Sequence, residues 1–304
     1  MTTTERRSLR SGLAFTSLWI VGLGVFTLYP VAASLFYSFC DYNILQGPVW
    51  CGLENYRQLA QDDAFRTSVR NTLFFAAFSV PLSMAVALTL GLLLNCDVRG
   101  RAFFRTVFYL PAIVPVVASS MIWLWMFNGE FGLINWVLGP FFRLAGLNPP
   151  AWLLDPAWAK PALIFMSLWG TGNSMIIYLA GLQDVPKELY EAAKIDGANA
   201  WHRFRHVTLP LISPVLYFDL IMGIIGSLQV FTQAYIMRGG GAEGLSDGAP
   251  AQSTLFYAVY LFSTAFYDLR MGYASAMAWI LFLLIFGCTW LANRAAGRRV
   301  HYSN

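Results

Sequence analysis

Charge is what this chain has least of. Asp, Glu, Lys and Arg together make up 12% of its 304 residues, about half the share of an average soluble domain. So little charge excludes a disordered chain, and a net charge of only +4 gives no reason to invoke a nucleic-acid partner. Cysteine is scarce as well: there are four, none in a CxxC spacing, which excludes a small disulfide scaffold. GxSxG, HExxH and paired carboxylates at depth are all missing, so no residue reads as catalytic and no hydrolytic machinery is expected. The run Gly239, Gly240, Gly241 with Gly244 and Gly248 lacks the Lys-Ser/Thr that follows a phosphate cradle, and it reads as a loop. Work energised by ATP would need the nucleotide on another chain.

What is present is apolar. AVILMFWYC residues make up 57% and aromatics 16%. Six runs, residues 13–39, 72–94, 106–127, 161–182, 211–236 and 271–292, are 22 to 27 residues long, enough to cross about 30 Å of hydrocarbon as helices. Backbone at that depth must satisfy its own polar groups, and the irregular intervals do not suit barrel strands, so the fold expected is an all-α, six-span polytopic membrane protein. Residues 1–304 then form a single transmembrane domain. The stretch Leu255 to Phe266 is too short to cross and is expected to be an external helix that lies on or dips into the membrane surface and leads into the last span. Thirteen of the 20 Lys and Arg fall in the shorter inner segments, including Arg6, Arg7, Arg10, Arg294, Arg298 and Arg299. By the positive-inside rule both termini are cytoplasmic. The first span is too long for a cleavable signal and reads as an anchor.

Cys40 and Cys51 share the first outer loop, as a disulfide or as two unrelated thiols. His202 and His206 stand at i and i+4, but Arg203 and Arg205 beside them make a solvated basic face the better reading, and no metal site is expected. Polar residues inside spans find no partner in lipid. Asn173, Gln229 and Thr232, with Ser119, Ser120, Ser174 and Gln233, are therefore candidates to line a solute path, or else helix-packing contacts. Trp169 and Phe231, with Trp123 and Trp125, offer aromatic faces to a solute on such a path. Asp219, the sole carboxylate within a span, is expected to contact neighbouring helices or another subunit rather than a solute.

The third inner loop, residues 184–210, is the longest of the inner loops and the most informative. Pro186 suits a helix start, Leu189, Ala192, Ala193 and Ile195 give a helical apolar pattern, and Gly197 ends it. A second short helix carries Trp201, Phe204 and Val207 and is expected to stop before Pro210. The physics alone leaves two readings, a rigid cytoplasmic knob for a partner or an interfacial helix pair that joins two spans.

In that loop Glu191, Ala192, Ala193, Asp196, Gly197, Val207, Leu209 and Pro210 stand as Glu-Ala-Ala, three residues, Gly, nine residues, an aliphatic residue, one residue, Leu-Pro. The pattern resembles the signature of the permease subunits of bacterial ABC importers, with Val207 in place of Ile. Resemblance to the carbohydrate-uptake branch, in particular its first permease subunit, continues in Leu28-Tyr29-Pro30, Gly52-Leu53-Glu54-Asn55-Tyr56, Asn71-Thr72, Gly239-Gly240-Gly241 and Met271-Gly272-Tyr273-Ala274. The resemblance implies a multi-pass protein of the bacterial inner membrane. Its partners would be a sister permease in a heterodimer, two ABC ATPases that bind ATP and Mg, and an external solute-binding protein. It implies no cofactor on this chain, and a loop whose Glu191, Ala192, Ala193, Asp196, Gly197, Leu209 and Pro210 couple to the ATPase. The substrate it suggests is a sugar or oligosaccharide. Glycerol 3-phosphate is disfavoured by the lack of an intramembrane Arg or Lys. The competing reading, an ion-gradient-driven secondary transporter, would need more intramembrane carboxylates and a visible inverted repeat.

Overall fold

A computed structural model of the chain describes residues 3–97, 99–238 and 252–296, and the side chains of 12–97, 99–238 and 252–295 among them. The glycine run 239–241 with Gly244 and Gly248, Arg298 and Arg299, and the side chains of Arg6, Arg7 and Arg10 lie outside the described residues. The described residues are almost entirely helical and fall into two compact units, residues 1–62 with 261–280, and residues 63–260 with 281–304.

In the first unit, α1 (Thr3–Leu23), a π turn and α2 (Tyr29–Tyr37) form one helical run. Its apolar stretch Gly12–Tyr37 contains no buried residue. The π turn Gly24–Leu28 stands immediately before Tyr29-Pro30. Pro30 has no N–H to close an α turn, and the wider turn is closed by the Tyr29 N–H on the Gly24 carbonyl. A hairpin of β1 (Cys40–Asn43) and β2 (Gln46–Trp50) follows, in antiparallel register with Cys40 opposite Trp50. The hairpin lies outside the all-helical expectation; its two-residue connection is held by the Gln46 N–H on Asn43 Oδ1 at 2.7 Å.

The segment that contains Asn55 is fixed by that side chain. Asn55, in α3 (Glu54–Gln61), donates from Nδ2 to the carbonyls of Ser38 and Cys40 at 3.0 and 2.9 Å, while Tyr56 donates to Ser38 Oγ at 2.8 Å. Tyr273 donates to Asp62 at 2.6 Å, and Arg270 lies over the Tyr273 ring at 4.3 Å. A Cβ at position 272 would overlap the Cys40 carbonyl oxygen, so only glycine fits there. The segments that carry the family resemblance in this unit are thus the ones that bind its parts together. Cys40 and Cys51 are free thiols, each Sγ donating to a backbone carbonyl, Phe36 and Phe39 respectively, at 3.4 Å. Burial and the nearby Cys51 push the Cys40 thiol up.

The second unit is organised around α4 (Asp63–Asn95), which packs along α8 (Pro156–Trp169), α9 (Gly172–Gln183) and α13 (Ser213–Leu228). Residues 106–127 do not form the straight span expected of them. They divide into α5 (Arg101–Ile113) and α6 (Val116–Met126), bent by 98°. Pro115 cannot donate into a helix and holds Val114 extended at ψ 128°. The run 211–236 likewise breaks. Its helix ends at Leu228, and α14 (Thr232–Met237) begins after an irregular Phe231. The α8–α9 pair is bent by 48°, and a Cβ on Gly172 would lie 2.7 Å from the Phe108 carbonyl, so α5 and α9 meet backbone to backbone there.

Among the described residues three helices are long and apolar enough to cross a membrane, or up to six if each bent pair is one span, the third such pair being residues 200–211 with 213–228, bent by 67°.

The two short apolar helices correct the expectation for residues 255–266. Helix α7 (Leu133–Leu144), which the apolar pattern did not single out, exposes Trp136, Phe141 and Leu144, whereas Leu255, Phe256, Tyr257 and Val259, at the start of α15 (Tyr257–Phe266), are buried. The reason is polar. Asn71 donates from Nδ2 to the carbonyls of Gln252 and Leu255 at 2.8 and 3.1 Å, and the Tyr257 N–H donates to Thr72 Oγ1 at 2.8 Å. These bonds satisfy the backbone of a segment that then packs Phe256 on Phe75. The last helix, α16 (Met271–Ala296), is the remaining long apolar one.

Candidate functional site

The loop between α9 and α13 is built from the residues of the signature. Helix α10 (Lys187–Ile195) starts after Pro186, one position later than the sequence suggests. It ends in Gly197 at φ +78°, with the Ala198 N–H on the Ala193 carbonyl at 2.9 Å, a closure that strains any residue with a side chain. The chain turns, and Asn199 caps α11 (Ala200–Arg203) by accepting from the His202 N–H at 2.9 Å. The second helix does not stop before Pro210. A π turn over Phe204–Thr208, closed by the Leu209 N–H on the Phe204 carbonyl, leads into α12 (Leu209–Leu211), so the helix carries Pro210 without its missing donor.

The loop is anchored on one side and open on the other. Tyr190 and Thr208 share a hydrogen bond of 2.9 Å, and Tyr190, Val207 and Leu211 pack against Leu182, Val185 and Ile212, with Leu88 and Leu92 of α4. Glu191, Ala192, Asp196 and Gly197 are exposed, and so are the apolar Ile195 (87%) and Trp201 (61%). Ala193, Leu209 and Pro210 are half-buried. His202 and His206 stack face to face with ring centroids 5.9 Å apart and bond to Asn199 and a backbone carbonyl. Among the described residues no group of three metal-ligating side chains exists.

Among the cavities between the described helices of the second unit, two bring together residues suggested for a solute path. One, of about 170 Å³, is lined by Pro111, Ser119, Trp169 and Gln233 among others. The second, of about 280 Å³, is a cleft lined by Ser79, Ser83, Ser167, Ser174, Asp219, Ser227 and Gln233 together with glycines and apolar side chains. Asp219 accepts from Ser174 at 2.7 Å and from the Tyr178 hydroxyl, which accounts for a carboxylate among apolar helices. The expected contact of Asp219 with neighbouring helices is present. It also faces the cleft.

Of the path residues suggested by sequence, the structure brings Trp169, Ser119, Ser174 and Gln233 to these walls. Asn173 and Gln229 are exposed, Thr232 is half-buried, and none of the three lines either cavity. Phe231 stacks on Tyr235 against the apolar core. Ser120 is buried on the Val116 carbonyl, Trp123 packs on Phe127 and Trp169, and Trp125 is exposed. Reading each polar residue alone missed Ser79, Ser83, Ser167 and Ser227. The visible signal was the spacing of Asp219, Gly223, Gly226 and Ser227 on α13, which puts small and polar groups on one helix face.

Residues 64–301 match the model of a family described as the binding-protein-dependent transport system inner membrane component. The chain belongs to this family. Its members are transport permease subunits rather than enzymes. Among its relatives, a probable ABC transporter permease of Bacillus subtilis, YesP, is 38% identical over 99% of this chain and 96% of its own. The lactose transport system permease LacF of Rhizobium radiobacter is 34% identical over 98% of this chain and all of its own. In fold, the permease matches a chain of a bacterial alginate ABC transporter, solved in complex with an alginate-bound periplasmic protein. The TM-score is 0.78 at 21% identity, with 96% of each chain covered. The membrane-permease fold expected of the chain is therefore the fold it has.

Proposed function

We propose that this permease forms half of the translocation path of an ATP-driven importer for neutral sugars or oligosaccharides. It would lie in the inner membrane with six spans, both termini and the 184–210 loop being cytoplasmic. The observation that carries the reading is the loop itself. It is anchored to the ends of α4, α9 and α13 and leaves Glu191, Ile195 and Trp201 exposed around a glycine that only a tight turn requires. Exposed aromatic and aliphatic side chains on a rigid, charged loop suit a protein partner better than water. That partner is one of two ABC ATPases, each loaded with ATP and Mg, and a sister permease completes the heterodimer. ATP-driven closure of the ATPases would move the loops and switch the path between its two faces.

The substrate class follows from the walls. Serine hydroxyls, Gln233 and the Asp219 carboxylate offer hydrogen-bonding partners to sugar hydroxyls, and Trp169 offers an aromatic face, while neither cavity is lined by Lys or Arg. A phosphate ester would find no cation on these walls. The lactose system named among its relatives supports a neutral saccharide. An external solute-binding protein would deliver it, as the alginate-bound periplasmic protein in the matching structure suggests.

The test is uptake of labelled disaccharides into proteoliposomes that hold the purified complex. ATP-dependent uptake of a neutral disaccharide, competed poorly by glycerol 3-phosphate, is expected. Uptake that ignores ATP and follows an ion gradient would overturn the reading and favour a secondary transporter.

A further inference from the structure

The contacts between α9 and α13 form a series that runs from the cleft to the loop. At the cleft, Ser174 and Tyr178 of α9 donate to Asp219 of α13. One turn on, Gly181 of α9 admits Val215 of α13 so closely that a Cβ there would lie 3.1 Å from Val215 Cγ2. Next, Leu182 and Ile212 share an apolar cluster with Tyr190 and Val207, and Tyr190 bonds Thr208 within the loop.

Helix α4 closes the set. Its Gly91 sits against Tyr178, with an added Cβ 3.4 Å from the Tyr178 Cβ, and its Val80 sits against Gly223 of α13. Tyr178 is fully buried, part of an apolar cluster with Ala87 and Leu94 of α4, and its hydroxyl donates to Asp219. One side chain thus touches all three helices.

We infer that Tyr178 is a positioning residue whose hydrogen bond to Asp219 latches α9 to α13 at the cleft, so that movement of the 184–210 loop reaches the cleft wall without loss. The inference rests on the importer reading above and adds to it the element that transmits the motion. The loop holds the two helices together at one end by apolar packing. At the other end the cleft interrupts that packing, and a half-buried polar tie is what remains to keep the wall residues Ser174, Asp219 and Gly223 in step with the loop. Without the Tyr178 hydroxyl only Ser174 still ties α9 to Asp219, and the two helices part more readily at the cleft while staying joined at the loop.

The experiment uses the whole complex, chain plus sister permease, ATPases and binding protein, in proteoliposomes, with ATP hydrolysis and saccharide uptake measured together. Tyr178→Phe keeps the ring and removes the donor. It should leave hydrolysis stimulated by the binding protein within about twofold of the unaltered complex and lower uptake per ATP about tenfold, the scale of a lost hydrogen bond to a carboxylate. Asp219→Ala combined with Tyr178→Phe should be no worse than the poorer single variant, because both remove the same hydrogen bond. Uptake per ATP unchanged in Tyr178→Phe overturns the latch, and so does a fall in uptake that only mirrors lost assembly or hydrolysis. Additive losses in the double variant overturn it too. If the unaltered complex takes up solute without ATP, the importer reading itself has failed, which the control distinguishes.

Discussion

The 184–210 loop and the cleft have opposite polarities. The loop shows Ile195 and Trp201 outward where charged residues surround them, and the cleft gathers serines and Asp219 among helices that are otherwise apolar. Each is an unfinished surface. Exposed apolar groups on a structured loop ask for protein, and polar groups between membrane helices ask for water or a polar solute. The pair teaches that the same fold can leave two surfaces of opposite character unsatisfied by its own side chains. One end suits a partner and the other a solute, with α4, α9 and α13 between them.

Perturbing the loop should have the largest effect. Gly197→Pro demands a negative φ where the turn has +78°, a mismatch of order 1–3 kcal/mol or more at a single position. Uptake should fall to background while the chain still inserts and purifies; normal uptake would mean the turn plays no part in coupling. Next, Ile195→Asp or Trp201→Ala should weaken recovery of the ATPase with the tagged chain by about tenfold or more, on the scale of an interface anchor. Unchanged recovery would show that the loop's apolar side faces lipid, as the interfacial reading of the sequence had it.

The cleft end can be tested through its support. Asn71→Ala removes both hydrogen bonds to the 252–255 backbone, so the buried Leu255 carbonyl loses its Asn71 donor and the Gln252 carbonyl keeps only the Leu255 N–H. A destabilisation of roughly 1–3 kcal/mol should appear as a lower thermal midpoint in detergent. The smallest effect belongs to the first unit. The Cys40 thiol is buried and pushed up, so less thiolate is present at any pH below its own titration, and maleimide should label it far more slowly than the exposed Cys96. Raising the pH should narrow the gap. Equal rates at neutral pH would show that the hairpin opens.

Much of this architecture could be read from residue order, and the loop most of all. Its helix, glycine and Leu-Pro are local, and a spacing rule applies wherever one short segment fixes its own geometry. The membrane class followed from composition in the same direct way. The breaks were harder. Pro115 stands in plain view inside the 106–127 run, yet a proline in a membrane helix is often tolerated, so a 98° bend does not follow from its presence. Hydropathy was also silent on burial. Leu133–Leu144 and Tyr257–Phe266 are alike in length and apolarity, and only the long-range bonds from Asn71 and Thr72 put the second inside. The cleft was least legible, because Ser83, Ser167 and Asp219 come from three helices far apart in sequence. Judged singly, a membrane serine is a packing contact; its neighbours across the cleft make it a wall.

The most direct measurement is purification of the tagged chain in mild detergent, with identification of what stays bound before and after changing Glu191 and Gly197. The account predicts a second permease and a P-loop ATPase with the unaltered chain, and loss of the ATPase alone when those two residues are replaced. A chain that purifies by itself across several detergents, and still moves solute into liposomes without ATP, would contradict it.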